Sequence, residues 1–259
     1  MMNSVRIYWV AFTTILIKEI RRFTRIWAQT LLPPAITMAL YFVIFGNLIG
    51  SRIGEMGGFN YMQFIMPGLI MMSVITNSYS NVTSSFFSSK FQKSIEEMLV
   101  APVPSWVILS GYVLGGVARG LLVGLIVTVL ALFFTDLTVH NLFVTITVVF
   151  LTAVLFAIGG FINALFARSF DDVTIIPTFI LTPLTYLGGV FYSIQLLPEF
   201  WQGVSLFNPV LYMVNTFRFG ILGVSDINPW IALVAICVFI VILFSLALWL
   251  LERGKGLRQ

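Results

Sequence analysis

"NLFVTITVVFLTAVLFAIGGFINALFA", residues 141–167, holds no charged residue. A helix needs about 20 residues at about 1.5 Å each to cross about 30 Å of hydrocarbon, and this run exceeds that. Lipid offers the backbone no partner, so such a run satisfies its own hydrogen bonds as a spanning helix. Five more runs repeat the pattern on either side: 26–51, 56–89, 98–118 with its continuation past Arg119, 173–198 and 227–251. Nearly every charge lies in the gaps. The composition agrees: 59% of the 259 residues are hydrophobic and only 9% charged, against about 25% charged in soluble domains. The expectation is one all-α membrane domain with six transmembrane helices, over 27–50, 61–87, 106–134, 142–166, 173–192 and 229–251.

Orientation follows from Lys and Arg, which favour the cytoplasmic side. With the N-terminus inside, six crossings place Arg6, Lys18, Arg21, Arg22, Arg25, Lys90, Lys93, Arg168, Arg253, Lys255 and Arg258 in the cytoplasm. Only Arg52 and Arg218 fall outside, and Arg119 lies within a span. Both termini are therefore expected in the cytoplasm. The net charge of +4 is explained by this distribution, and nothing points to nucleic acid.

The opening reads as an amphipathic helix rather than a cleaved leader. Over 4–26, Val5, Tyr8, Trp9, Phe12, Leu16, Ile20 and Phe23 share one face, with Arg6, Lys18, Arg21 and Arg25 on the other. Such a helix lies in the membrane interface. Glu19 projects onto the apolar stripe, where a carboxylate is costly unless paired. Either it pairs with Arg22, or it reaches a cytoplasmic loop at Lys90 or Lys93.

Pro33 and Pro34 either start the first span or kink it. The second span is polar in its inner half, from Ser73 to Ser85. Its hydroxyls and amides either hold helices together or line a pathway. In the following loop, Ser88 or Ser89 can cap a short helix over 89–101. Phe91, Ile95, Met98 and Leu99 fall on one face, and Lys90, Lys93, Glu96 and Glu97 on the others. That helix ends before Pro102 and Pro104, and Ser105 caps the next span. It is either a plain connector or a rigid lever. Arg119, among Gly115, Gly116 and Gly120, is either a structural partner of helix carbonyls or a pathway residue. Asp171 or Asp172 can cap the fifth span, and the Arg168–Asp172 turn can alternatively dock a partner. Residues 194–223 are too apolar for water and too broken to span. They read as an outer re-entrant helical hairpin in which Asn208 caps and Pro209 opens the second helix.

Chemistry-bearing motifs are missing. No GxxxxGK[ST] loop occurs, so hydrolysis of ATP by this chain is not expected. No Cys/His cluster suits a metal, and no catalytic residues are expected. The spans hold no carboxylate, and no repeat of the broken fifth span is visible, which weighs against an ion-coupled carrier.

The stretch "PLTYLGGVFYSIQLLPEFWQGVSLFNPVLYMVNTFRFG", residues 183–220, resembles the signature of ABC-2 type permeases. "SIEEMLVAPVPS", residues 94–105, resembles their coupling helix, and "WVAFTTILIKEIRRFTR", residues 9–25, looks like their connecting helix. The resemblance covers essentially the whole chain and is closest to a group of bacterial inner-membrane permeases. It implies a homodimer working with two copies of a cytoplasmic ABC ATPase subunit. ATP and Mg would be bound by that partner, and no cofactor by this chain. Glu19, Lys90, Phe91, Lys93, Ile95, Glu96, Glu97, Met98, Leu99, Arg168, Asp171 and Asp172 would then form the ATPase-coupling surface. Asn77, Ser80, Asn81, Thr182, Tyr186 and Arg119 would line a substrate pathway through the lipid bilayer. Gly188, Gly189, Phe191, Pro198, Asn208, Pro209 and Arg218 would form the outer gate. The expected activity is ATP-driven export of an amphipathic or hydrophobic substrate, such as a lipid, lipid-linked saccharide or drug. Alternatives are an ion-coupled carrier or channel, or a non-transporting membrane scaffold.

Overall fold

A computed structural model describes residues 4–254 and 256. Lys255 and Arg258, placed on the cytoplasmic side above, lie outside the described residues. The chain opens with α1 (Ser4–Arg25), α2 (Trp27–Thr30) and α3 (Leu32–Tyr41), then a π-wound stretch Phe42–Ile49 and α4 (Gly50–Ile53). Pro33 and Pro34 lie in the first turn of α3, where a proline costs no hydrogen bond, so they start a helix rather than kink one. A two-residue antiparallel pair follows, β1 (Glu55–Met56) with β2 (Phe59–Asn60).

Next come α5 (Tyr61–Phe91), α6 (Ser94–Val100), α7 (Ser105–Ala131), α8 (Leu142–Phe166) and α9 (Phe170–Ile176). A π-wound turn Pro177–Leu181 leads into α10 (Thr182–Tyr186). The order closes with α11 (Glu199–Ser205), α12 (Pro209–Leu222) and α13 (Pro229–Glu252). Asn208 and Asn228 each accept a hydrogen bond from a first-turn amide, at Val210 and Trp230, with a proline at the start of the helix they cap.

Among the described residues, four helices are long and apolar enough to cross a membrane: Trp27–Ile53, Ser105–Ala131, Leu142–Phe166 and Pro229–Glu252. Two other segments differ from these for separate reasons. The 31 residues of α5 extend about 46 Å, ample for a crossing, but its inner half is polar. Phe170–Tyr186 is apolar but only about 25 Å long.

Packing centres on α5, which lies between α7 and α8 and is buried along most of its length. An outer core gathers Phe42, Phe64, Leu69, Val127, Met213 and Phe217. An inner core gathers Ile15, Phe86, Phe87, Tyr112, Phe161 and Leu250. The first helix runs against α7 rather than lying apart from the bundle. Gly115 permits this approach, because a Cβ there would stand 2.5 Å from the Cβ of Glu19.

Three expectations about helix ends are corrected. Ser88 and Ser89 cap no loop helix, because α5 runs on through Phe91. It stops where Lys93 takes a left-handed conformation (φ 59°), and that residue precedes α6. Pro104, not Ser105, holds the cap position of α7. Neither Asp171 nor Asp172 is the cap of α9: Ser169 is, with Asp172 completing a reciprocal capping box.

Candidate functional site: an uncovered charged face and a polar ladder

The inner end of the bundle presents α6 and the turn between α8 and α9. Ile95 is buried and pins α6 to the core, and Met98 is half-buried. Lys93, Glu96, Glu97, Leu99 and Val100 are exposed, Val100 at 87%. Phe91, 64% exposed, lies 5.2 Å from exposed Phe170 in an aromatic contact. A cavity of about 940 Å³ opens between α6 and the end of α13, with Phe91, Lys93, Glu96, Leu99, Glu252 and Arg253 among its walls. Charged and apolar groups alternate here without a covering element, the composition of a docking surface rather than of a lipid-facing one.

Lys90 and Glu19 do not belong to that exposed face. The Lys90 ammonium is buried and donates to the Leu165 carbonyl at 2.7 Å and the Ala167 carbonyl at 2.8 Å, closing the C-terminal end of α8. Burial, with Arg168 nearby, pushes that ammonium below its usual range. Arg168 and Asp171 are exposed, and Asp172 is half-buried. The backbone N–H of Arg168 donates to Asp172 Oδ2 at 2.8 Å and holds this carboxyl below its usual range.

Glu19 has no exposed surface. It meets neither Lys90 nor Lys93, but accepts from Ser85 Oγ at 2.6 Å and pairs with Arg22 at 3.4 Å and Lys18 at 3.9 Å. These contacts belong to a ladder. Residues four apart on a helix share a face, and Asn77, Asn81, Ser85 and Ser89 form such a row on α5. Each rung holds a charged side chain. Arg119 of α7 donates to Asn77 Oδ1 at 3.1 Å and to the Thr30 carbonyl at 3.1 Å. Arg22 donates to Asn81 Oδ1 at 2.8 Å and to its carbonyl at 2.9 Å. Ser85 meets Glu19, and Ser89 accepts from Lys18 at 3.4 Å and Tyr112 at 3.0 Å.

Asn77, Asn81 and Arg119 are thus engaged between helices and do not form an open wall. Ser80 is half-exposed and belongs to the adjoining row. There Thr76 and Ser84 are exposed and Ser88 is half-exposed. Ser84 Oγ donates to the Asn81 carbonyl at 3.2 Å, the same oxygen that receives Arg22, so the two rows touch. Thr182 and Tyr186 are exposed on the weakly packed α10. Thr182 donates to the Pro177 carbonyl at 2.9 Å, and Tyr186 stacks on Phe191 at 5.8 Å.

At the outer end, Arg218 is not a free cation: it is 1% exposed. It donates to the Gly189 carbonyl at 2.6 Å, to that of Phe64 at 3.3 Å and to Asn215 Oδ1 at 3.4 Å, with its guanidinium 3.9 Å from the centre of the Phe64 ring. Gly189, at φ 70°, takes the left-handed turn that presents this carbonyl. Gly188 is buried against Val210 of α12, and Asn208 donates to the Leu184 carbonyl at 2.6 Å. Gly188, Gly189, Asn208, Pro209 and Arg218 therefore converge at the junction of α5, α10 and α12, while Pro198 lies apart at the start of α11.

Sequence reasoning offered Arg22 as a partner of Glu19, and the structure pairs them, but the parts played by Lys18, Ser85, Ser89 and Tyr112 it missed. The four-residue spacing of Asn77, Asn81, Ser85 and Ser89 was the available signal, but nothing in the spacing names the helix that answers it.

Comparison with known proteins fits this geometry. The family model described as ABC-2 type transporter matches residues 10–222. The inner membrane transport permease YadH of Escherichia coli (strain K12) is 61% identical over 257 residues, covering 98% of this chain and 100% of that one. Nodulation protein J of Rhizobium leguminosarum bv. trifolii is 26% identical over 215 residues, covering 83% of this chain and 82% of that one.

Proposed function

This chain belongs to the ABC-2 type transporter family, and on that premise we propose that it is the permease subunit of an ATP-driven exporter. It is a multi-pass membrane protein, related over its whole length to an inner-membrane transport permease. In our reading it crosses the bacterial inner membrane six times, with both termini in the cytoplasm. Two copies assemble with two copies of a separate cytoplasmic ABC ATPase, which binds the ATP and Mg. The re-entrant hairpin is formed by α11 and α12 on the outer side. The substrate is amphipathic or hydrophobic: a lipid, a lipid-linked saccharide or a drug.

One observation carries the mechanism: α5 joins both working surfaces in a single rigid rod. Its inner end leads through the Lys93 turn into α6, and its length carries the exposed hydroxyl row of Thr76, Ser80 and Ser84. Hydroxyls exposed on a spanning helix are unfavourable against hydrocarbon and suit a hydrated wall. ATPase closure against Phe91, Glu96, Glu97 and Leu99 would tilt α5 and move that wall. Thr182 and Tyr186 of α10 would face it, and the Arg218–Gly189 junction would hold the outer end shut.

The test is co-purification with a co-expressed cytoplasmic ABC ATPase subunit, followed by ATP hydrolysis in nanodiscs. A two-plus-two complex is expected. Scrambling 94–100 should abolish its formation, and Glu97→Lys should uncouple hydrolysis from transport while leaving insertion intact. A chain that binds no ATPase, or hydrolysis indifferent to the scramble, would remove the reading.

A further inference from the structure

The ladder carries more positive charge than it neutralises. Lys18, Arg22 and Arg119 stand on its rungs against a single carboxylate, Glu19, and that carboxylate is already shared by Lys18 and Arg22. Arg119 has only neutral partners, the Thr30 carbonyl and Asn77, and its Nε has no hydrogen-bond partner. Among the described residues, no carboxylate lies within ion-pair distance of it. A guanidinium deep in a spanning helix without a counter-charge is costly for structure alone, because neutral carbonyls do not offset its lost hydration. Its fork geometry suits the oxygens of a phosphate.

Location completes the case. Arg22 and Arg119 hold Asn81 and Asn77, which adjoin the exposed row, and Ser84 shares the Asn81 carbonyl with Arg22. Both cations retain partial exposure. Arg119 lies about 21 Å along α7 from its start, and Arg22 bonds α5 one turn nearer the Lys93 end, at Asn81 rather than Asn77. We propose that Arg22 and Arg119, with the Ser80 and Ser84 hydroxyls, form a recognition site for an anionic phosphate group entering the α5 wall from the inner leaflet. This rests on the permease reading and narrows its substrate to a phosphate-bearing amphiphile. The shared chemistry is the phosphate, and its source is either a lipid headgroup or a soluble phosphate ester.

The test uses the full chain in nanodiscs of equimolar phosphatidic acid and phosphatidylcholine, with retained lipid counted by native mass spectrometry. Phosphatidic acid should be favoured about tenfold, equal to about 1.4 kcal/mol. Arg119→Gln should lose most of that preference and Arg119→Lys should recover part of it. Arg25→Gln, on the exposed side of α1, should keep it. Ser84→Asp places a carboxylate beside the cations from an exposed position and should abolish the preference, which provides a reading if Arg119→Gln does not fold. Added glycerol phosphate separates the sources: displacement identifies a soluble ester, and resistance identifies a lipid headgroup. Equal retention of the two lipids with no displacement overturns the proposal, as does a preference unchanged in both Arg119→Gln and Ser84→Asp. Complex formation with the ATPase is measured on the same preparations. A complex that hydrolyses ATP without the lipid preference sinks the phosphate site alone. A lipid preference without any complex sinks the permease reading and leaves the site.

Discussion

At the residue scale, Glu19 shows how a rule-breaking position marks a contact. It is the one acidic residue of α1, and its projection onto the apolar stripe is legible in the sequence. What it meets is not, because Ser85 is 66 residues away and one of several equivalent serines. Removing one partner of a buried ion pair strands the other, at a cost of about 3–5 kcal/mol. Glu19→Ala should therefore lower the Tm of the purified chain by several degrees, read by intrinsic fluorescence in a neutral detergent. Glu19→Gln, which keeps an acceptor for Ser85 but no charge for Arg22, should fall between the two. A Glu19→Ala variant as stable as the parent would mean that α1 is held by its apolar contacts alone. Arg218 teaches the converse. The sequence places it on the second helix of the hairpin as an outer cation, yet the fold wraps it with two carbonyls and the Phe64 ring. Only tertiary structure supplies those partners, so its burial has no local signal.

At the element scale, the apolar runs and the Asn-Pro caps were legible because each rests on local chemistry: hydrophobicity over one helix length, or a side chain bonding an amide two residues away. The ends of α5 and α9 were not, because they depend on long-range or competing partners. A buried Lys90 bonding the α8 carbonyls carries α5 past the serines expected to cap a new helix. At α9, Ser169 outcompetes the two aspartates for the cap, and Asp172 instead accepts from the amides of Arg168 and Ser169 at 2.8 and 3.1 Å. Those amides favour the ionised carboxyl, so its pKa is depressed. A depressed pKa gives stability that is present above the unfolded value of about 3.9 and lost as pH falls through the folded value. The turn should thus stay closed at neutral pH. Asp172→Asn should open it there, seen as several-fold faster tryptic cleavage after the exposed Arg168 in nanodiscs. Cleavage at the parent rate would show that Ser169 alone holds the turn.

At the scale of the whole molecule, the same residues argue for both an orientation and a division of labour. The cations that set the bias, Arg6, Lys18, Arg21, Arg25, Lys93 and Arg168, gather at one end with α1 and α6. Arg52 and the helical pair α11–α12 occupy the other. Positive residues near the ends of spans resist translocation, so the proposed topology puts the basic end in the cytoplasm. That end also carries the uncovered Phe91, Phe170 and Val100, which on this topology a cytoplasmic partner would reach. Two independent features, charge and an uncovered apolar face, therefore point the proposed topology to the same side. A single labelling experiment checks both. With Cys237, the chain's one cysteine, changed to Ser, a new cysteine is placed at exposed Ser51 or exposed Glu97. A membrane-impermeant maleimide applied to intact spheroplasts should label Ser51→Cys and spare Glu97→Cys until the membrane is opened. The ATPase, bound beforehand, should then protect Glu97→Cys but not Ser51→Cys. Labelling of Glu97→Cys from outside would invert the topology. It would also put α6 beyond the reach of any cytoplasmic motor, so the orientation and the coupling mechanism stand or fall together.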